Sequence, residues 1–277
     1  MSMPPKGRFS GHRWHFAARF AFVGQRLTGE CGGLLLVILI ACQLSRLSAS
    51  AQVVHYDIIA ARASLADLNS AEQTLGRVYS SDSPFHFRIT VAMTNYHLGA
   101  YSPLKRSYPQ ELRPFLAATA KVVTNDLNLA ALSQQLWPPD GNVTVYVTNA
   151  LRWVATNIVY DSDLADRIGS GESDTRSSTD VLALRKGTCS ECANLFLALM
   201  RYKSIPAAYI TGYAFKYGSY HAWAEVYLDG PGWVSVDPQG GTVGVSTGHI
   251  KLFRSLDFPA IHTQLRAIKI RAAEIDQ

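Results

Sequence analysis

The stretch from Gly187 to Pro238 changes its hydrophobic period twice, and that change limits what can be built there. Residues 189–203, CSECANLFLALMRYK, are apolar on nearly every side and read as a buried helix. Lys186-Gly187-Thr188 marks its start, and Ser204-Ile205-Pro206 its end. Residues 207–213 then read as a strand. Residues 221–228 alternate, Asp229-Gly230-Pro231-Gly232 is a turn, and residues 233–236 form the return strand before Pro238. One buried helix followed by an antiparallel sheet is an α+β arrangement.

The rest of the chain is less explicit. Residues 54–80 begin with a short apolar run and continue as helix-like or irregular sequence. Residues 85–96 alternate and are rich in β-branched and aromatic side chains, the pattern of a strand. Pro109 opens an expected helix, PQELRPFLAATAKVV, in which Pro114 is tolerated or introduces a kink. Trp137-Pro138-Pro139-Asp140-Gly141 signals a boundary. Residues 143–159 are amphipathic, with Val147, Leu151, Val154 and Ile158 at helical spacing, and residues 161–179 read as a polar exposed loop. The expected organisation is a targeting segment over 1–51, an N-terminal portion of strand plus helices over 52–141, and a C-terminal core over 142–277.

The targeting segment rests on residues 34–41, a charge-free apolar run of eight. This is too short for a bilayer span of about 20 residues. Basic residues precede it and Ala49-Ser50-Ala51 follows, the layout of a secretory signal. Leu39-Ile40-Ala41-Cys42 is also similar to a lipidation site, and an uncleaved anchor or an internal core helix is the remaining reading. Signal or anchor would export the body to the periplasm or beyond, with a membrane tether in the lipidated and anchored cases. The formal charge of +5 has its source here. Six basic residues and one acid lie within 1–51, leaving 20 of each sign in the remainder. A body without basic surplus gives no footing for nucleic acid as a partner.

Three residues carry the chemistry. A thiol attacks as thiolate, and a helix N-terminus favours that form. Gly187-Thr188-Cys189 supplies the setting, with a small residue that lets a substrate approach and Cys in the first turn. The first backbone N–H groups of the helix lack intrahelical partners and are available to an oxyanion. On strand 221–228, His221, Trp223, Glu225 and Tyr227 share one face, and Ala222, Ala224, Val226 and Leu228 the other. Trp233, Ser235 and Asp237 match the first set on the return strand. The turn then sets Asp237 within a few residues of being opposite His221, where a carboxylate can hold the imidazole tautomer. Cys189, His221 and Asp237 are thus the candidate nucleophile, base and orienting carboxylate. Taken singly, each has a commonplace alternative as core thiol, structural imidazole and turn residue. Their order, at matching ends of helix and strands, argues for the set.

Cys189 and Cys192 also form a C-x-x-C, which leaves open redox catalysis, a reversible disulfide that silences the nucleophile, or a plain core role for Cys192. Tyr209, Tyr213, Phe215, Tyr217 and Tyr220 either pack the hairpin or line a wall for an extended peptide. There is no H-E-x-x-H, zinc-ligand spacing or phosphate loop, so neither metal nor cofactor is expected.

GTCSECANLFLALMRYKSIPAAYITGYA and HAWAEVYLDGPGWVSVDP together resemble the transglutaminase-like core. Gly187, Cys189, Glu191 and Ala193 match its G-x-C-x-[DE]-x-A helix start, His221 to Glu225 its H-A-W-x-E strand, and Asp237-Pro238 its closing D-P. The lead-in departs from the usual G-I-P-A-R, with Ser204 and Ala208 in place of Gly and Arg. The resemblance implies a papain-like α+β fold in which Cys189, His221 and Asp237 form a catalytic triad. It also implies cysteine-dependent acyl transfer on peptide or carboxamide substrates through a thioester. Water as acceptor gives a peptidase or amidase, the favoured outcome for an exported protein, and an amine gives a cross-linker. The rival reading is a binding or scaffold module that keeps the fold without turnover.

Overall fold

Alternating apolar residues build the first sheet. In β1 (Val53–Ala60) Tyr56, Ile58 and Ala60 are buried, and in β3 (Phe85–Ala92) Phe87, Ile89 and Val91 are buried. The two strands pair antiparallel with Ile58 opposite Phe87, so one face of the pair is apolar throughout. The structure is a computed structural model that describes residues 53–258, except 62, 95, 97–101 and 173, and the backbone of 268–272. The targeting segment expected over 1–51 lies outside the described residues.

β2 (Gln73–Ser80) is one edge of this sheet, and β11 (Ile268–Ala272), from the far end of the chain, is the other, in the order β11-β1-β3-β2. The stretch 54–80 thus holds two strands where a short apolar run followed by helix-like sequence was expected. β2 is mostly exposed and its register with β3 shifts twice, so it lacks the alternation that marks a half-buried strand. The helix expected from Pro109 is a 3-10 turn over Gln110–Leu116. Pro114 has no N–H to donate, and Leu112 is the only buried side chain, so nothing extends the turn into a packed helix.

Helices α1 (Leu127–Leu136) and α2 (Val143–Asn157) follow, α2 burying the predicted Val147, Leu151 and Val154. β4 (Val159–Tyr160) leads into α3 (Ser162–Ser170), a helix inside the stretch expected to be loop. Asp161 caps it by accepting from Leu164 N at 3.1 Å, and Leu164 and Ile168 bury one face. Two apolar positions among polar ones were too few to show a period. After α4 (Ser178–Leu184) the short β5 (Lys186–Gly187) pairs parallel with β4.

The predicted helix is α5 (Cys189–Tyr202), and the predicted sheet is β6 (Ala207–Ala214), β7 (Ser219–Leu228) and β8 (Gly232–Asp237), completed by β9 (Thr242–Val243) and β10 (His249–Ser255). Its order is β10-β6-β7-β8-β9, all antiparallel. The face parity is the one read from sequence. Ala222, Ala224, Val226, Leu228, Val234 and Val236 share a core with Leu195, Phe196 and Leu199 of α5, whereas Trp223 packs with Ala208 and Ile210 in a separate cluster. Ser204, at the position where the resembling lead-in has Gly, takes a left-handed backbone with φ 57°, which explains the usual glycine. Gly212 is required by close packing. A Cβ there would lie 1.9 Å from Ile250 O.

Candidate active site

The site begins with the N-terminus of α5. Thr188 caps the helix, its hydroxyl accepting from Ser190 N, and Glu191 returns the bond by accepting from Thr188 N at 2.7 Å. Because the Thr188 side chain engages the amides of Ser190 and Glu191, the Cys189 amide is the first-turn donor this cap leaves over for an oxyanion. Glu191 is fully buried. Its other oxygen accepts from Thr175 Oγ1 and from Arg176 N. Gly187 faces this carboxylate. A Cβ there would lie 2.6 Å from Glu191 Cβ, so the glycine serves the cap rather than an approaching substrate.

Asp161 ties the same turn from the other side. It pairs with Arg176 at 2.9 Å and Lys186 at 3.1 Å, and its backbone N–H donates to Gly187 O at 3.0 Å. Burial would raise its pKa, but the Leu164 amide and the two cations outweigh that and hold it down at about 2. Cys189 sits above this clamp, partly exposed and free.

His221 and Asp237 come from adjacent strands. Val236 pairs with Ala224, which leaves Asp237 diagonal to His221 on the shared face. His221 Nε2 lies 3.2 Å from Asp237 Oδ2, and both residues are buried. Asp237 Oδ1 accepts from the amides of Gln239 at 3.0 Å and Gly240 at 3.1 Å, and Oδ2 also accepts from Tyr217 OH at 3.1 Å. Burial alone would lower the His221 pKa. The hydrogen bonds to Asp237 and to the Cys189 side chain override it and raise the imidazole to about 9. Asp237 is held well below the usual carboxylate range, burial being outweighed by His221, His249 and the Gly240 amide. The structure thus brings the three sequence-predicted residues together. With Nε2 on Asp237, the imidazole nitrogen left for the thiol is Nδ1.

Three neighbours were not singled out for this site from sequence. The Tyr217 ring lies 4.3 Å from His221, centroid to centroid, and covers it. The His249 ring lies 5.8 Å from that of His221, centroid to centroid, beside the same Asp237. Tyr160 lies close enough to Cys189 for the thiolate to raise its phenol pKa, second to burial. Of the expected aromatic cluster, Tyr209 is core, and Tyr213, Phe215 and Tyr220 pack edge-to-face among themselves. Cys192 is buried one turn below Cys189, and burial pushes its thiol far up.

Residues 130–238 match the family model of the transglutaminase-like superfamily. Among solved structures, a candidate cysteine protease from Cytophaga hutchinsonii is 19% identical and aligns with a TM-score of 0.57 over 81% of this chain and 89% of that one. The periplasmic domain of TgpA from Pseudomonas aeruginosa is 18% identical, with a TM-score of 0.44 over 69% of this chain and 70% of that one. LapG from Legionella pneumophila is 14% identical, with a TM-score of 0.37 over 56% of this chain and 80% of its own. The first of these likenesses establishes a shared fold. No curated protein matches the chain.

Proposed function

Starting from a chain whose residues 130–238 belong to the transglutaminase-like superfamily, we propose that it is a cysteine-dependent acyl-transfer enzyme acting on peptide or carboxamide bonds, with hydrolysis as its reaction. The observation that carries this is the His221–Asp237 pair, buried and bonded at 3.2 Å, with its remaining ring nitrogen toward a thiol at a helix N-terminus.

In this reading Cys189 Sγ attacks the carbonyl carbon as its proton passes to His221 Nδ1. The Cys189 amide holds the oxyanion, and the Tyr160 hydroxyl is our candidate for a second donor. Imidazolium then protonates the departing amine, leaving a thioester on Cys189. Water, deprotonated by His221, releases the acid and restores the thiol. Asp237 keeps the ring oriented and stabilises its charge throughout. We favour water over an amine because hydrolysis needs no second site for an acceptor. A scaffold without turnover is the weaker alternative, since it has no use for a base tuned upward beside a free thiol.

A peptide-library activity profile, run with and without an added primary amine, tests the reading. Cleavage that is unchanged by amine and lost in Cys189→Ser supports it. Amine incorporation would replace hydrolysis with cross-linking, and activity retained in Cys189→Ser would overturn the assignment. We further propose, from the layout of residues 34–51 and not from the fold, that the body works outside the cytoplasm. No helix among the described residues is long and apolar enough to cross a membrane. Mass spectrometry of the native protein should find a start near Gln52 or a lipidated Cys42, and a cytosolic chain retaining Met1 or Ser2 would refute export.

A further inference from the structure

Asp237 has a second imidazole beside it. His249 opens β10, and its Nδ1 lies 3.0 Å from Ser246 Oγ, which fixes the ring. Its Nε2 is turned toward Asp237 Oδ2 at 3.9 Å, too far for a hydrogen bond. That nitrogen has no hydrogen-bond partner, although the residue is only 6% exposed. A buried polar atom left in this way is destabilising unless something else satisfies it.

One ligating atom each from His221, Asp237 and His249 fall within 4.8 Å of one another, and all three residues are buried. Two imidazole nitrogens and one carboxylate oxygen around a common point suit a borderline cation such as Zn²⁺ or Co²⁺. Calcium and magnesium take oxygen ligands instead. A cavity of about 530 Å³, bordered by Tyr96, Lys216, Asp237, Ser246 and His249, reaches two of the three ligands and leaves room for a water as the fourth. We propose that His221, Asp237 and His249 form a binding site for a divalent transition metal of the zinc class, and that a metal seated there turns off the Cys189 chemistry.

The inhibition rests on the reading of His221 as base. Metal bound through Nε2 takes the lone pair of that nitrogen, and the single proton of the neutral ring moves from Nε2 to Nδ1. The nitrogen facing the thiol then has no lone pair with which to accept its proton. Asp237 is drawn onto the same cation and no longer serves the ring. None of this uses the thiol as a ligand, which separates the site from capture of metal by Cys189 itself.

Cobalt binding to metal-stripped Cys189→Ala protein is the test. The expected result is one Co²⁺ per chain, with the visible absorption of a four-coordinate nitrogen–oxygen site and without a sulfur-to-metal charge-transfer band. His249→Gln and Asp237→Asn, each made in that background and each checked for a cooperative melting transition, should weaken binding by at least about tenfold. In wild type, Zn²⁺ should stop turnover and a chelator should restore it. No stoichiometric cobalt, or binding indifferent to both substitutions, would overturn the site. Undiminished turnover with zinc bound would overturn the inhibition. Wild type that is inactive on every peptide while cobalt still binds would count against the acyl-transfer reading and leave the metal site standing.

Discussion

Replacing Asp237 by Asn keeps the shape and removes the charge, and the structure predicts which way the new amide faces. The amides of Gln239 and Gly240 donate to Oδ1 at 3.0 and 3.1 Å, so the asparagine oxygen occupies that position. Its NH₂ then faces His221 Nε2 and makes that nitrogen an acceptor. The ring proton moves to Nδ1, the wrong tautomer for a base that must take a proton from Cys189. Two costs combine. His221 is raised from 6.5 to about 9, on the order of 3 kcal/mol at 1.36 kcal/mol per unit, shared between Asp237 and Cys189. The part lost with the carboxylate is on the order of 2 kcal/mol. Forcing the wrong tautomer adds about 1–3 kcal/mol. The sum, about 3–5 kcal/mol, lowers kcat/KM for peptide hydrolysis by about two to four orders of magnitude, less than the loss in Cys189→Ser. The alkaline limb of the pH profile, measured with a chelator present, should move down from about 9. Folding stability gives a second signal. Asp237 is depressed when folded, so its contribution is present above the ordinary carboxylate value of about 3.8 and is lost as pH falls toward the folded one. Asp237→Asn should flatten that acid limb. Activity within about threefold of wild type, with both limbs in place, would refute the reasoning.

Tyr217→Phe removes one hydrogen bond to the Asp237 carboxylate and keeps the ring over His221, so kcat/KM should fall by about 5- to 30-fold with little change in melting temperature. Gly187→Ala places a methyl 2.6 Å from Glu191 Cβ and should destabilise the protein by about 1–3 kcal/mol in denaturant melts, with activity falling as the cap shifts. Cys192→Ala should cost about 1 kcal/mol of stability and leave turnover intact. Wild type and Cys192→Ala should lose and regain activity alike under mild oxidant and dithiothreitol, because the Cys192 thiol is buried and pushed up. Reversible protection that disappears in the variant would instead make Cys192 a redox switch.

The helix and hairpin of the site were legible because each writes its period locally. Apolar residues run unbroken through 195–200 and alternate through 221–228 and 233–236, and a three-residue turn sets the register that brings Asp237 to His221. The clamp beneath Cys189 was not legible. Asp161, Thr175 and Arg176 sit in a polar stretch with no period, and they reach Gly187 and Glu191 only after β4 and β5 pair. His249 was hidden by topology. Its strand follows β9 in the chain but lies beyond β6 in the sheet, so no spacing in the sequence relates it to Asp237. Tyr217 was read as one of a cluster that packs the hairpin or lines a peptide wall, and only the turn at Phe215–Tyr217 aims it at the carboxylate. The lead-in serine shows the converse. Ser204 departs from the glycine of the resembling motif yet takes a left-handed backbone, the conformation a glycine adopts most readily.

The central claim is that Cys189 is an activated thiol whose activation depends on His221, and alkylation reads this without any knowledge of substrate. Native protein is treated with iodoacetamide near neutral pH, in the presence of a chelator, and the modified cysteine is located and timed by peptide mass spectrometry. The account predicts fast labelling of Cys189 alone, with Cys192 untouched until the protein unfolds. In His221→Ala, folded as judged by its melting transition, labelling of Cys189 should slow by at least about tenfold, because the thiolate loses its imidazolium partner. Equal and slow labelling of Cys189 in both proteins would contradict the claim and leave the fold as a scaffold.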